Sequence, residues 1–302
     1  MARKSFDKAH FLHIDRHKHR KEYKRLKKLF RDNAYLVNPN EAVRNKQLLK
    51  YWRTRSLLFS KINDCPIYMT DELWFSVTPE LIAKFLAKFI RACLPEATKV
   101  MDVFCGGGGN TIQLAKTFPT VYGIDASLEH LYCTYRNARA YDVADRIWLK
   151  HGSWQHIAAK GRFAKLGIDC VFGSPPWGGP DYLASKSYDL EAALQPMGIT
   201  EMLATFLSVS SNVILFLPRN SNLDQISRAT RSLLGPSGQC RVVYVKTNGY
   251  TKGLLCMWGA ALVSPKEEQP NVGSDDERPH GQAEESQDER GKKVLVNYDL
   301  DG

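Results

Sequence analysis

No stretch of the 302-residue chain approaches the roughly 20 apolar residues that a membrane span needs, so no spanning helix is expected. The amino terminus is charged throughout and lacks the apolar core of a secretory signal, so none is expected there either. Cysteines occur at 65, 93, 105, 133, 170, 240 and 256, an odd number with no CxxC pair. That spacing argues against a disulfide framework or a zinc site and for reduced, mostly buried thiols in a cytosolic or nuclear protein. There is no Gly-Lys-Ser/Thr, which excludes a phosphate P-loop. No internal repeat is evident, and the length leaves room for one sizeable α/β domain with appendages.

Acidic residues are scarce outside one region. Residues 264–302 hold five Lys/Arg against eleven Asp/Glu, whereas the whole chain carries +10, so the first 263 residues carry +16. A body this basic favours a polyanionic partner and salt-sensitive binding. Residues 1–30 alone hold eleven Lys/Arg, three acids and four His. Apolar residues at 23, 26, 29 and 30 have helical spacing, so residues 1–46 read as a basic arm with a short amphipathic helix, suited to RNA binding or nuclear targeting. The plainer reading of the same stretch is a solvated tail. Pro, Gly, Glu, Asp and Gln dominate from Ser264 onward, and residues 264–302 are expected to be a disordered acidic tail.

Between these ends the pattern is helical and then alternating. Apolar residues with interleaved cations predict a helix over about 47–60, and residues 61–79 read as loop. Thr78 before Pro79 is a good N-cap with proline at the first helical position, so a helix should run to about Cys93. Residues 47–95 thus form a helical lid segment, and 96–263 the core. Strands are expected at 99–104, 121–125, 146–150, 168–173, 212–217, 240–246 and 254–262. Helices are expected at 110–118, from Ser127 to about Tyr141, at 199–209 and at 222–234. The last two strands sit close enough for a hairpin, so one is antiparallel. Repeated strand–helix units with a closing hairpin describe a doubly wound, Rossmann-like α/β sheet.

The first strand runs into Cys105-Gly106-Gly107-Gly108-Gly109-Asn110, where glycines let the backbone approach a ligand and offer amide donors. Asp102 precedes this loop, and Asp125 closes the next strand, where a carboxylate accepts ribose hydroxyls. Together they have the pattern of an S-adenosylmethionine site, and a loop without Lys or Arg suits that phosphate-free ligand. After the third strand, Ser153 or a backbone amide is left to read the adenine, with Trp154 either a stacking wall or core.

A second motif is Ser174-Pro175-Pro176-Trp177-Gly178-Gly179-Pro180-Asp181-Tyr182, following the apolar run 168–173. Two prolines end the strand, because neither donates to a ladder. The carbonyls of Ser174 and Pro175 are thereby left as free acceptors at the carboxyl edge of a sheet, with Trp177 beside them. This suits a flat base held by stacking while its exocyclic amine donates to the carbonyls. The bland alternative is a proline turn with a core tryptophan.

These runs, with Trp74-Phe75-Ser76-Val77-Thr78-Pro79-Glu80 and Phe216-Leu217-Pro218-Arg219-Asn220, make residues 47–262 resemble the trimethylguanosine synthase family, and most closely its short fungal members. The resemblance implies a class I S-adenosylmethionine-dependent methyltransferase. Such an enzyme converts the 7-methylguanosine cap of small nuclear and nucleolar RNAs to 2,2,7-trimethylguanosine in two methyl transfers. It implies Ser174, Pro175 and Trp177 as catalytic residues, and Trp177, Lys50, Tyr182, Arg219 and Lys252 as cap contacts. Cofactor contacts are implied at Phe59, Thr78, Pro79, Asp102, Cys105, Gly106, Gly107, Asn110, Asp125 and Ser153, with no metal. It further implies a nuclear and nucleolar monomer, with capped RNA and snRNP or snoRNP proteins as partners and no membrane. Two alternatives stay open: an amino-methyltransferase of internal RNA or DNA bases, and a catalytically silent cap-binding scaffold.

Overall fold

The computed structural model describes residues 10–12, 14, 16–179, 182, 185–247, 249–264, 284–287 and 294–299. Pro180, Asp181 and Asn248 lie outside the described residues, as do the first nine residues and most of the acidic tail. The chain divides into two units, one of Met1–Lys88 and Thr98–Arg162, the other of Phe89–Ala97 and Phe163–Gly302.

The first unit contains, in chain order, β1 (Phe11–Leu12), α1 (Arg20–Asp32), α2 (Leu49–Arg53), α3 (Arg55–Leu58), α4 (Leu73–Ser76) and the start of α5 (Glu80–Cys93). There follow β2 (Lys99–Val103), α6 (Gly109–Thr117), β3 (Thr120–Asp125), α7 (Leu128–Ala140), β4 (Ile147–His151) and α8 (Trp154–Ala158). Its strands are all parallel, in the order β1-β4-β3-β2. Parallel strands bury both faces, and β2 and β3 are accordingly buried at most positions, the aspartates Asp102 and Asp125 included. Ser127 caps α7 as expected, its hydroxyl accepting from the His130 amide.

Three details depart from the sequence expectations. The basic stretch is not wholly an arm: α1 buries Leu26 and Leu29, Arg25 pairs with Glu129 at 2.5 Å, and Phe30 meets Tyr132 edge-on at 4.9 Å. The face left in water carries Arg20, Lys21, Lys24, Lys27 and Lys28. The helix expected over 47–60 is broken at Thr54. The Thr54 hydroxyl donates to the Lys50 carbonyl, and Arg55 turns back over the Trp52 ring at 4.1 Å, its guanidinium donating to the Trp52 and Pro39 carbonyls. Finally, α4 forms a single turn inside the segment read as loop.

The second unit contains β5 (Cys170–Gly173), α9 (Ile199–Leu207), β6 (Val213–Leu217), α10 (Leu223–Leu234), β7 (Arg241–Thr247), β8 (Tyr250–Trp258), α11 (Ala260–Val263), β9 (Glu284–Gln287) and β10 (Val294–Asp299). β5 and β6 are parallel, whereas β8 lies antiparallel between β6 and β7. The expected closing hairpin is therefore present. Its second strand starts at Tyr250 rather than near 254 and ends at Trp258, whose indole donates to Thr230 at 2.9 Å.

The tail differs most from its composition. β10 pairs in parallel with β7 and β9 pairs with β10, covering an edge that would otherwise be open. The run Val294-Leu295-Val296-Asn297-Tyr298 is rich in strand-forming types, a local signal that the surrounding Glu, Asp and Gly dilute. All seven cysteines are free thiols. Among the described residues no helix is long and apolar enough to cross a membrane, and no cluster of three His, Cys, Asp or Glu is arranged to hold a metal ion.

Candidate active site

In the first unit the chain leaves β2 through a tight reversal, with positive φ at Phe104 (67°), Gly106 (53°) and Gly108 (87°), before entering α6. The loop is held from two sides. The Gly106 amide donates to Asp125 Oδ2 at 2.9 Å, while its carbonyl accepts from Thr134 Oγ1 at 2.6 Å. The Gly107 carbonyl accepts from Asn137 Nδ2 at 2.9 Å, and the same amide group exchanges hydrogen bonds with the backbone of Tyr68. Thr134 and Asn137 lie one turn apart on α7, so one helix face fixes the loop.

Asp125 ends β3 with both oxygens engaged, Oδ1 accepting from the Ser127 amide at 2.8 Å. His130 Nδ1 lies 3.3 Å from the same oxygen, and Nε2 lies 3.5 Å from Glu72 ahead of α4. Burial disfavours the imidazolium, yet Asp125 and Glu72 outweigh it and hold the His130 pKa above its usual value. Asp102 is buried and accepts from Thr111 through Oδ2, while Oδ1 has no donor among the described residues. Burial, reinforced by the Asp125 charge, pushes its pKa to about 7, and the Thr111 hydrogen bond only partly offsets this.

The lid segment lies directly on this loop. A β-carbon on Gly107 would stand 3.1 Å from Leu73 Cδ1, and one on Gly109 would stand 3.0 Å from Val77 Cγ1. A side chain at either position would press against the lid residues Leu73 and Val77. Thr78 is buried and accepts from Asn110 Nδ2 at 2.9 Å, leaving Asn110 Oδ1 buried without a donor. Pro79 leads into α5, Trp74 is in the lid core, and Phe59 packs beside Tyr141 at 6.2 Å. Below them Glu80 accepts from the Ser60 amide (2.6 Å) and the Tyr141 hydroxyl (2.7 Å), which ties the lid to α7.

One other expected contact, Cys105, turns inward. The Cys105 amide donates to Ile124, and its thiol is buried near Thr134, so this residue packs the loop from beneath. Ser153 precedes α8 and is half-buried, whereas Trp154 is fully buried and belongs to the core rather than to a stacking wall. Lys50 is exposed on α2, its ammonium 4.8 Å from the Tyr51 ring.

The second unit brings the proline motif and the end of β6 together. β5 stops at Gly173, and Pro175 is buried. Among the described residues no donor reaches the carbonyl of Ser174 or Pro175, whereas that of Pro176 accepts from Gln195. Trp177 is half-buried, backed by Phe216 at 5.3 Å and flanked edge-on by Tyr182 at 5.4 Å. Among the described residues its buried indole N–H finds no acceptor. Gly178 and Gly179 follow at φ 83° and 77°, a reversal that side chains resist. Arg219 stands exposed after β6, and its neighbour Asn220 donates to the Tyr182 carbonyl at 3.2 Å. Lys252 is exposed on β8.

Sequence reasoning missed Phe216 as the backing of Trp177, and Thr134, Asn137 and His130 as supports of the glycine loop. Polar residues at 130, 134 and 137 on a buried helix face were the available signal.

The comparisons with known proteins agree with this layout. Residues 97–261 match the family model for RNA cap guanine-N2 methyltransferases. The trimethylguanosine synthase of Saccharomyces cerevisiae is 60% identical over 242 residues, covering 80% of this chain and 77% of the relative. That of Schizosaccharomyces pombe is 34% identical over 184 residues, covering 60% and 75%. Among solved structures, one from Porphyromonas gingivalis W83, described as a methyltransferase, superposes with a TM-score of 0.53 at 16% identity. It covers 71% of this chain and about half (49%) of its own, and it supports the class I methyltransferase fold alone. On the family match and the two fungal relatives, the chain belongs to the RNA cap guanine-N2 methyltransferase family.

Proposed function

We propose that this protein uses S-adenosylmethionine to methylate the exocyclic N2 of 7-methylguanosine RNA caps twice, giving 2,2,7-trimethylguanosine. The observation that carries the reading is Trp177, a half-buried indole beside two carbonyls that lack donors. N7-methylguanine is cationic, and tryptophan is the best cation–π partner, worth about 1–2 kcal/mol when desolvated. The preference for methylated over plain guanine follows. The N2 amine would donate to the Ser174 and Pro175 carbonyls, which orient it and offset its developing positive charge. The unpaired Trp177 N–H would gain an acceptor from the bound cap. No side-chain base is invoked, and positioning supplies most of the rate.

The first unit fits the cofactor on its own chemistry. Asp102 Oδ1 and Asn110 Oδ1 are buried acceptors without donors among the described residues, suited to the ammonium of an amino-acid moiety. Asp125 at the β3 end, with Gly106 and Gly107, would hold the ribose side, and Phe59, Thr78, Pro79 and Ser153 would enclose the ligand. When bound, S-adenosylmethionine supplies an electrophilic methyl on a sulfonium. Arg219, Tyr182 and Lys252 of the second unit would meet the cap triphosphate, where guanidinium binds phosphate bidentately.

Small nuclear and nucleolar RNAs in the nucleus and nucleolus are the proposed setting. The lysine face of α1 is available to RNA phosphates or to snRNP and snoRNP proteins, and the working form is a monomer. The deciding experiment measures transfer of labelled methyl to m7GTP, to m7G-capped RNA and to uncapped RNA. Labelling of both capped substrates supports the reading. Labelling of uncapped RNA alone would replace it with internal-base methylation.

A further inference from the structure

The β7–β8 hairpin leaves regular register near its tip. Val245 pairs with Gly253, but Lys246 pairs with Thr251 and Thr247 with Tyr250, so Lys252 is an extra residue on β8. Such a bulge resets which side chains share a face. Val245 and Thr247, two apart on β7, face the same way, and residues paired across the ladder share a face. Gly253 and Tyr250 therefore also share a face, although they are three apart on β8.

Gly253 identifies that face. A β-carbon there would stand 2.6 Å from the Phe216 ring, and Phe216 is the residue that backs Trp177. Without the bulge, Tyr250 would point to the opposite side of the sheet. With it, Tyr250 stands on the Trp177 side, about 7 Å along the strand from Gly253, the spacing of their partners Thr247 and Val245. Tyr250 is 68% exposed, more than any other large apolar side chain among the described residues. Lys252, the bulged residue two positions further on, is exposed, and no ion-pair partner for it is found among the described residues. An exposed ring next to a lysine is the chemistry that holds single-stranded nucleic acid, the base stacking and the ammonium meeting phosphate.

We infer that Tyr250 is a stacking platform for the base of the first transcribed nucleotide, the one joined to the cap through the triphosphate. Lys252 contacts the phosphates between them. The assignment rests on the reading of Trp177 as the cap platform and extends that site by one nucleotide.

Steady-state kinetics of the full chain with m7GTP and with m7GpppA test it, since only the second substrate carries the extra base. Tyr250→Ala should raise KM for m7GpppA roughly tenfold, with kcat little changed and m7GTP kinetics unaltered. Tyr250→Trp should restore the wild-type KM for m7GpppA. Equal losses on both substrates would assign Tyr250 to the hairpin's structure, and no loss on either would leave it a solvent-exposed ring. Both outcomes overturn the proposal while leaving the cap reading intact. Wild-type protein that methylates neither substrate would overturn the cap reading and this assignment together.

Discussion

Replacing Glu80 by glutamine should loosen the lid in a way that depends on pH. The carboxylate accepts from the Ser60 amide at 2.6 Å, the Ser60 hydroxyl at 3.0 Å and the Tyr141 hydroxyl at 2.7 Å. Lys84 adds an ion pair at 2.9 Å. Burial by itself would raise the pKa, but the backbone and side-chain donors and Lys84 prevail and bring it from 4.5 to about 2. That gap corresponds to on the order of 3 kcal/mol of native-state stabilisation. The Lys84 side chain is 47% exposed, so its share is screened and the working figure is about 2 kcal/mol. A depressed carboxyl stabilises the fold above its unfolded value near 4.5, and this contribution is lost as the pH falls toward 2. Urea unfolding of wild type and Glu80→Gln should therefore differ by about 2 kcal/mol at pH 7, a gap that should shrink as the pH falls through 4 and close near pH 2. A difference that stays constant down to pH 3, or none at pH 7, would refute the assignment of these hydrogen bonds to an ionised Glu80.

Three further outcomes follow from the site. Trp177→Ala should abolish cap methylation while calorimetry still shows S-adenosylmethionine binding, and equal loss of both would mark the ring as structural. Cofactor affinity should rise from pH 6 to pH 8 as Asp102, with a pKa near 7, ionises. Asp102→Asn should bind more weakly and flatten that dependence, so calorimetry of the two proteins at both pH values checks it. Gly253→Ala places a methyl within 2.6 Å of Phe216 and should destabilise the second unit by about 1–3 kcal/mol in thermal unfolding. An unchanged melting temperature would mean that Phe216 moves aside freely.

The alternating core was legible in the sequence because its signals are local. Ser127 before an amphipathic run, Pro79 at a helix start and glycine after an apolar strand each dictate one conformation. The residues that position the site were less legible. Asn137 supports the glycine loop only because α7 packs under it, and the 47–60 helix breaks through a Thr54 hydroxyl and an Arg55–Trp52 stack that periodicity does not register. The bulge at Lys252 likewise arises from the pairing of two strands rather than from the composition of either. Composition misled at the tail, where six residues, Val294–Asp299, pair with β7 within a stretch whose average reads as disordered.

The packing of Leu73 and Val77 onto Gly107 and Gly109 has a kinetic consequence. A ligand arriving from the lid side of those glycines would have to displace Leu73 and Val77 first. The observed rate of entry should then level off as ligand concentration rises, at a ceiling set by how often the protein opens rather than by diffusion.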